Sequence, residues 1–401
     1  MEKVLAILLA GGAGERLAPL TRHTAKPAVP FGGIYRIIDF TLSNCLNSGL
    51  RRVFVLTQYK SLELIRHIRD GWSIFSGEIG EFIETMPPMK RMHDDWYLGT
   101  ADAVYQNIES IEAEDPDNVL ILSADHIYKM NYREMTGWHR QQKADITIAT
   151  IQIPPEEAGR FGIATIDPAY RIIGFEEKPQ HGHPSHSPFD PSMVSASMGI
   201  YLFNTGILLD ALRTDAADPA SSHDFGKDIL PRLIQRHKVS AYDFQDLNAK
   251  KVRYWRDVGT LDAYYEANLD LVSVIPEFNL YDKSWPIRTN PPMHPPAKFV
   301  FAQEGNRMGI AMDSVVSPGV IVSGGRVQRS VLSPGVRVNS YSAIDDSILL
   351  SNAEIGRNCH LRRTIVCSNA KVLEGTRAGF DPDQDRARGY TVTESGITVI
   401  D

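Results

Sequence analysis

Short apolar runs separated by amphipathic stretches occupy the first part of the chain. Val4–Ala10, Arg52–Thr57, Val119–Ser123 and Ile146–Ile151 are runs of this kind, and Leu62–Ile68 has the spacing of an amphipathic helix. Strands that are apolar on both faces and alternate with helices are typical of a largely parallel sheet with helices on both sides. Ligands of such sheets bind at the carboxyl ends of the strands. We therefore expect the polar motifs that follow these strands to converge.

The pattern changes near residue 276. Residues 276–297 are rich in proline and predict an extended linker. Beyond the linker, apolar residues recur at every sixth position, with small turn residues between them. These positions are Val315, Ile321 and Val327, then Leu332, Val338 and Ile344, then Leu349, Ile355 and Leu361, and finally Val366 and Val372. Such a period predicts a parallel β-helix with three strands per coil, and an irregular β-sandwich is the alternative.

These changes divide the chain into a first domain, 1–275, the linker, 276–297, and a β-helix domain, 298–401. Each coil of a β-helix buries its apolar residues only against neighbouring coils. Because an open end or flank commonly becomes a contact between subunits, we expect a homo-oligomer.

Composition narrows the class of protein. The 401 residues are 43% hydrophobic and 23% charged, which is ordinary for a globular protein. A net charge of -7 argues against general binding to nucleic acid or to an anionic membrane, and no stretch reaches the ~20 apolar residues of a membrane span. The three cysteines, Cys45, Cys359 and Cys367, follow no metal-binding or disulfide pattern and predict a reducing cytoplasm.

A glycine-rich loop directly follows the first strand. Gly11, Gly12 and Gly14 allow backbone N–H groups to approach phosphates, although three glycines can equally form a simple tight turn. Arg16 and Lys26 favour the phosphate interpretation, because one offers a bidentate fork and the other a point charge. The Lys-Ser/Thr ending of a P-loop and the acidic residue of the dinucleotide fingerprint are both absent.

Two aspartates stand at strand or turn ends. Asp125 follows the apolar run that ends at Ser123, and Asp257 lies between an aromatic pair and a glycine turn. An isolated aspartate in the position of Asp125 is more often a helix cap. Together the two aspartates can hold Mg²⁺, which prefers oxygen ligands and substrate phosphates.

A third polar motif contains Glu177 and Lys178. It is either a solvated turn or a site where Glu177 binds sugar hydroxyls and Lys178 binds a sugar phosphate. The segments Trp96–Val104 and Ala196–Tyr201 allow no interpretation by themselves.

In combination, the motifs resemble a known family. Gly-Gly-x-Gly-x-Arg-Leu at 11–17 with Lys26-Pro27 is similar to the sugar-1-phosphate nucleotidyltransferases. Longer segments resemble the bacterial glucose-1-phosphate adenylyltransferases, and the resemblance extends from about Val4 to about Gly375. These segments are Lys26–Phe40, Leu42–Cys45, Trp96–Val104, Asp125–Tyr128, Ser222–Asp228 and Trp255–Thr260.

The resemblance implies an α/β fold: a Rossmann-like nucleotidyltransferase domain with a mixed, mostly parallel sheet, followed by a left-handed parallel β-helix. It also implies adenylyl transfer from ATP to glucose 1-phosphate. The products are ADP-glucose, the glucosyl donor for glycogen (α-glucan) synthesis, and pyrophosphate. The phosphate of glucose 1-phosphate attacks the α-phosphorus of ATP in line, so no protein nucleophile is needed.

The residue roles implied by the resemblance are as follows. Arg16, Lys26, Asp125 and Lys178 are expected to be catalytic, and Asp125 and Asp257 to hold Mg²⁺. ATP is expected to contact Ala10, Gly11, Gly12, Gly14, Gln58, Gly99 and Thr100, whereas glucose 1-phosphate contacts Tyr97, Gly162, Glu177, Lys178 and Ser197.

The resemblance further implies a homotetramer and a small anionic effector, with Arg36 as a candidate effector residue. This chain departs from enterobacterial relatives at Arg22–Ala25, where their loop is strongly basic, at Pro30, where they have histidine, and at Ser368, where they have arginine. Fewer cations imply weaker capture of an anion.

Three alternatives remain. Another sugar nucleotidyltransferase would use UTP, dTTP or GTP, since the loop motif is common to all of them. A regulatory subunit without activity would be expected to lose charged residues that this chain retains. An acyltransferase β-helix needs a catalytic histidine, and His360 is the only one in the repeats.

Overall fold

The computed structural model describes residues 3–88, 96–179, 185–248, 253–290, 293–303 and 307–401. No helix among these residues combines the length and the apolar character needed to cross a lipid bilayer. The strands of the first domain are β1 Val4–Ala10, β2 Pro30–Phe31, β3 Tyr35–Arg36, β4 Arg52–Thr57, β5 Phe82–Met86, β6 Asn118–Ser123, β7 His126–Tyr128, β8 Ile146–Ile153, β9 Gly162–Ile166, β10 Ile172–Glu177, β11 Val194–Asn204, β12 Val239–Asp243 and β13 Trp255–Asp257.

Helices surround these strands. They are α1 Ile37–Asn47, α2 Leu62–Trp72, α3 Thr100–Tyr105, α4 Ile108–Glu114, α5 Tyr132–Gln142, α6 Thr205–Ala216, α7 Leu230–Ile234 and α8 Leu261–Asp270. Short turns of 3₁₀ helix cover Glu15–Leu17, Lys26–Ala28, Gly77–Ile79 and Pro155–Arg160, and a π-helical turn covers Phe225–Ile229. The predicted helix Leu62–Ile68 is confirmed and extends to Trp72.

The central sheet is mixed, as the resemblance implies. Its strand order is β10-β9-β11-β6-β1-β4-β5, and β8 joins β11 to β12. β1 lies parallel to β4 and β6, whereas β11 runs antiparallel to β6, β8 and β9. Along β1, Ala6, Leu8 and Ala10 join one core, and Leu5 and Ile7 join the core on the opposite face. Burial on both faces explains why this strand is almost uniformly apolar.

A buried carboxylate fixes the start of α1. Asp39 accepts hydrogen bonds from the Arg36 backbone N–H at 2.8 Å and from Trp72 Nε1 at 2.9 Å, and His67 Nε2 lies 2.6 Å from it. These contacts tie α1 to α2 beside the Lys26–Ala28 turn, and so stabilise the backbone that carries Lys26.

The second domain is a parallel β-helix. Its strands are β14 Lys298–Val300, β15 Ala302–Gln303, β16 Arg307–Met308, β17 Ile310–Met312, β18 Val315–Val316, β19 Ile321–Ser323, β20 Arg326–Gln328, β21 Val331–Leu332, β22 Arg337–Val338, β23 Ala343–Asp345, β24 Ile348–Leu349, β25 Glu354–Ile355, β26 His360–Arg362, β27 Thr364–Val366, β28 Lys371–Val372, β29 Arg377–Ala378, β30 Thr391–Val392 and β31 Thr398–Ile400, with helix α9 at Pro382–Ala387.

Three parallel ladders build the β-helix, as the six-residue period predicts. They are β14-β19-β22-β25-β28, β17-β20-β23-β26-β29 and β18-β21-β24-β27-β31. Hydroxyl side chains stack between coils: the Ser347 backbone donates to Ser330 Oγ at 3.0 Å, and that of Thr364 to Ser347 Oγ at 3.2 Å, each across 17 residues. Nine of the predicted positions, from Val327 to Val372, are buried in the core of this helix.

The first coil departs from the predicted register by one residue. Val322, not Ile321, is fully buried in the core, because Val322 is the residue that pairs with the interior Val338. In the same coil Val316 pairs with Leu332, whereas Val315 packs against the first domain. Neighbouring residues of a strand point to opposite sides of the sheet. If the six-residue period is counted from the wrong member of an apolar pair, the residue predicted to be buried is therefore the one that points outward.

The two domains share an apolar core. Val331, Ile348 and Ile365 point out of the β-helix and join Tyr264 of α8. Tyr265 Oη donates to the backbone oxygen of Asp346 at 2.5 Å. This contact fixes α8, and therefore the Asp257 turn that precedes it, against the β-helix.

The described part of 276–297 contains neither helix nor strand, and it packs on α1. Trp285 Nε1 donates to Asn44 Oδ1 at 2.8 Å, and the Arg288 backbone donates to Ser43 Oγ at 2.9 Å. Pro291 and Pro292, which belong to the predicted linker, lie outside the described residues.

Candidate active site

A short antiparallel ribbon brings the two predicted aspartates together. β7 begins at His126, immediately after Asp125, and His126 pairs with Asp257 of β13. One donor atom from each of Asp125, His126 and Asp257 lies within 4.8 Å of the others. The two carboxylates therefore lie close together, as we expected of motifs that follow strand ends, and the ribbon is what brings them together.

Lys26 lies between the two carboxylates. Its Nζ is 2.7 Å from Asp125 Oδ2 and 2.9 Å from Asp257 Oδ1, and its side chain is only 8% exposed. Burial alone would lower the pKa of Lys26, but attraction to the two aspartates outweighs burial and raises it above 10.5. Burial would likewise raise the pKa of Asp125, but Lys26 and His126 hold it well below 3.8. Both groups are therefore ionised at neutral pH.

The same cluster fits a divalent cation. A positive charge already bridges Asp125 and Asp257, so their oxygens are arranged around a cation in this structure. His126 Nε2 lies 3.5 Å from Asp125 and 4.0 Å from Asp257, and Ser123 Oγ donates to Asp125. Carboxylate oxygens are the ligands that Mg²⁺ prefers, and an imidazole nitrogen is compatible with several other divalent ions.

The glycine-rich loop forms one wall of a cavity of about 350 Å³. The described lining includes these predicted residues: Gly11, Gly12, Lys26, Gln58, Tyr97, Gly99, Thr100 and Asp125. A Cβ on Gly11 would stand 3.1 Å from Gln58, and one on Gly14 would stand 3.0 Å from Lys26 Cβ. Gly14, at φ 65°, therefore allows Lys26 to approach the loop, while neither Ala10 nor Gly14 lines the cavity.

A second cavity adjoins the first through Ser123, Lys26 and Asp125. The predicted residues Arg16, Gly162, Glu177, Lys178, Ser197 and Asp257 all line it. The Glu177 carboxylate lies between two glycines. A Cβ added to Gly162 would stand 2.7 Å from Glu177 Oε2, and a Cβ added to Gly226 would stand 2.5 Å from the same oxygen. Lys178 Nζ lies 3.4 Å from Glu177 Oε1.

Tyr97 and Arg16, two of the predicted site residues, line different cavities. Tyr97, expected beside glucose 1-phosphate, lines the glycine-loop cavity, and its hydroxyl accepts a hydrogen bond from Asn107 Nδ2 at 3.2 Å. Burial raises the pKa of this hydroxyl. Arg16, expected to be catalytic together with Lys26, lines the second cavity, which it shares with Asp257.

Arg36 lies outside both cavities. It lines a space between the domains together with Arg22, His23 and Ser368, and its Nη1 donates to the Ala28 backbone oxygen at 2.5 Å. The positions at which the sequence departs from basic relatives are therefore neighbours in space.

Several residues of the site carried no predicted role. Ser123 and His126 contact Asp125, and Asp224 accepts a hydrogen bond from Thr100 Oγ1 at 3.1 Å in the wall of the glycine-loop cavity. Trp255 lines the second cavity. Ser123 and His126 flank the Asp125 motif in sequence, which was a usable signal, whereas Asp224 approaches Thr100 only in the folded chain.

Both parts of the chain match known families. Residues 5–274 match the family described as nucleotidyl transferase, and residues 295–400 match the GlmU-like C-terminal hexapeptide family.

Similar relatives span nearly all of the chain. A glucose-1-phosphate adenylyltransferase from Koribacter versatilis is 61% identical over 401 residues, which cover 100% of this chain and 95% of the relative. Proteins of the same name from Rhodopirellula baltica and Paramagnetospirillum magneticum are 52% and 50% identical over 100% of this chain and 90% and 94% of their own lengths. The chain therefore belongs to the nucleotidyl transferase family and, within it, to the glucose-1-phosphate adenylyltransferases.

Proposed function

We propose that the two adjoining cavities bind ATP and glucose 1-phosphate, and that the chain transfers the adenylyl group between them. The products are ADP-glucose, a glucosyl donor for glycogen (α-glucan) synthesis, and pyrophosphate. The observation that carries this assignment is the cluster of Lys26, Asp125 and Ser123, which lines both cavities at once. A phosphorus atom undergoing in-line displacement must face the nucleophile on one side and the leaving group on the other. A cluster common to both cavities meets that requirement.

The glycine-loop cavity suits the nucleotide. Gly11 and Gly12 offer backbone N–H groups to phosphates, and Gln58, Gly99 and Thr100 form the remaining wall. Tyr97 lies in that wall with its hydroxyl already bonded to Asn107, so we assign it to shaping the cavity rather than to a polar contact with sugar.

The second cavity suits a sugar phosphate. Glu177 offers a fixed carboxylate to sugar hydroxyls, and Lys178 and Arg16 offer positive charge to the phosphate. Gly162 and Ser197 complete the proposed contacts. The phosphate of glucose 1-phosphate is itself the nucleophile, so catalysis is positioning and neutralisation of charge.

Nucleotidyltransferases of this kind generally need a divalent metal, and we propose Mg²⁺ held by Asp125 and Asp257. When bound, the ion supplies charge neutralisation at the phosphate under attack. Lys26 remains protonated beside these carboxylates and faces both cavities, so its ammonium is available to the departing pyrophosphate.

Two substitutions separate chemistry from binding. We expect Asp125→Asn to lower kcat more than it raises either KM, because the charge it removes acts on the reacting phosphate. We expect Lys178→Ala mainly to raise the KM for glucose 1-phosphate, because Lys178 lines the second cavity and not the glycine-loop cavity. Steady-state kinetics with both substrates varied measures these effects. An unchanged kcat for Asp125→Asn would refute the assignment.

We also propose that the space between the domains takes a small anionic effector, with Arg36 and Arg22 as its cations and Ser368 contributing no charge. Calorimetric titration of sugar phosphates into the wild-type protein and into Arg36→Ala tests this proposal, and equal binding to both would refute it. A homotetramer in the reducing cytoplasm remains our expectation for the assembly; Cys45, Cys359 and Cys367 are all free thiols.

A further inference from the structure

A buried pair of hydrogen-bonded side chains outside both cavities holds one turn of the chain. Asp215 of α6 is only 3% exposed, and its Oδ2 lies 2.8 Å from His223 Nδ1. Its other carboxylate oxygen accepts from Ser221 Oγ at 2.7 Å, and Ser221 Oγ accepts from the His223 backbone N–H at 2.9 Å. Arg232 Nη1 lies 3.8 Å from the same carboxylate. Asp215 therefore fixes both ends of the Ser221–His223 turn.

That turn supports the wall of the nucleotide cavity. His223 has a φ of 55°, which lies in the left-handed region that non-glycine residues seldom adopt. In this conformation its backbone oxygen accepts a hydrogen bond from Ala101 N at 2.8 Å, at the start of α3. The same oxygen would lie 2.2 Å from a Cβ on Gly99. The Gly99–Thr100 turn therefore packs directly against the backbone of His223.

The chain that follows the turn reaches the sugar cavity. Asp224 accepts from Thr100 Oγ1 at 3.1 Å through one oxygen and from Gly226 N at 2.9 Å through the other. Gly226 packs against the Glu177 carboxylate so closely that a Cβ there would lie 2.5 Å from Oε2. The four residues His223–Gly226 therefore contact both substrate walls. Neither His223 nor Asp215 is among the described residues that line those cavities.

We propose that the Asp215–His223 pair is a positioning device that holds both substrate walls in their binding geometry before either substrate arrives. This inference rests on the proposed function of the two cavities. Without the pair, the segment samples other conformations, and the first substrate to bind must order it. The second substrate then meets an ordered wall. Loss of the pair therefore lowers the affinity for each substrate when it binds alone, and makes the binding of one substrate raise the affinity for the other.

The test uses two variants of His223. His223→Gly keeps the left-handed backbone accessible but removes the imidazole, so it spares the fold better than a substitution of the buried Asp215. His223→Asn also tolerates this conformation, and its amide nitrogen can take the place of Nδ1 toward Asp215, so it is the conservative rescue. Calorimetry with Mg²⁺ present measures the Kd of glucose 1-phosphate alone and with α,β-methylene ATP, which cannot transfer its adenylyl group.

For His223→Gly we expect the Kd of glucose 1-phosphate alone to rise about tenfold, the middle of the range for site coupling. The analogue should recover most of that loss, and in steady-state assays both KM values should rise while kcat stays within about threefold. His223→Asn should restore the wild-type Kd. A Kd in His223→Gly equal to that of the wild type, or a raised Kd that the analogue does not improve, overturns the inference. If the wild-type protein bound neither ligand, the proposed function would fail and this inference with it.

Discussion

The two glycines that enclose Glu177 allow a sharp test of the sugar site. In Gly226→Ala the new Cβ would stand 2.5 Å from Glu177 Oε2 and 3.0 Å from its Cδ, whereas ordinary contacts begin at 3.4 Å. The carboxylate must therefore move by roughly 1 Å, and a displacement of that size can lower activity by as much as about 10²-fold. Gly162 closes the opposite side, where a Cβ would stand 2.7 Å from the same oxygen.

We therefore expect Gly226→Ala to raise the KM for glucose 1-phosphate by about 10- to 100-fold, and to change the KM for ATP by less than about threefold. Initial rates of pyrophosphate release, with each substrate varied at saturation of the other, measure both values. Gly206→Ala is the matched control, because Gly206 lies in α6 and a Cβ there meets nothing within 4 Å.

A folded Gly226→Ala protein whose KM for glucose 1-phosphate stays within twofold of the wild type would refute the assignment of Glu177 to the sugar. An equal rise in both KM values would also contradict it, because that result would locate the damage in the wall common to both cavities. Circular dichroism and thermal unfolding establish that the variant is folded.

Three further outcomes are expected. Lys26→Met should lower kcat by about 10²- to 10³-fold, the effect of removing one preorganised donor from an active site. The control is Lys129→Met, which removes a buried lysine that pairs with Asp282 outside both cavities and should leave kcat near the wild-type value. A similar loss of kcat in both variants would contradict the role of Lys26. The attraction of Lys26 outweighs burial and lowers the pKa of Asp125, so the stability that this pair contributes is complete above pH 3.8 and is lost as the pH falls through the lower pKa of the folded state. Urea unfolding at a series of pH values should therefore show that Asp125→Asn loses less stability below pH 3.8 than the wild type. Identical pH profiles for the two proteins would contradict this. Val322→Asn should lower the unfolding temperature of the β-helix far more than Ile321→Asn, since it buries an unpaired amide, and equal effects would contradict the register of the first coil.

Local pattern was sufficient for the main elements of the fold. β1 was predictable because both of its faces are buried, and the later coils of the β-helix because each interior position repeats with the ladder. The first coil was misjudged because Val315-Val316 and Ile321-Val322 are apolar pairs, in which composition does not show which member points inward. Only pairing with the next coil decides between them.

The site was predictable where chemistry and sequence position coincide. Asp125 and Lys26 stand in recognisable motifs, but their contact needs the Lys26 turn, the end of β6 and the ribbon with β13 to meet. Tyr97 lines the glycine-loop cavity, and α3, which follows it, contacts the backbone of His223 more than a hundred residues away. Asp215 gave no signal in the sequence, since a buried carboxylate on an amphipathic helix has the same sequence pattern as a surface acid. His223 stands in the Ser222–Asp228 motif, but nothing in the sequence showed its contact with Asp215.

We propose that adenylyl transfer from ATP to glucose 1-phosphate takes place where the two cavities meet. Pyrophosphate release from the purified protein, with glucose 1-phosphate, Mg²⁺ and each of ATP, UTP, dTTP and GTP in turn, tests it most directly. We expect kcat/KM for ATP to exceed that for every other nucleotide by at least about tenfold, the discrimination available from about 1.4 kcal/mol of differential transition-state binding. A preference for another nucleotide, or no pyrophosphate with any of them even after sugar-phosphate effectors are added, would contradict adenylyl transfer from ATP.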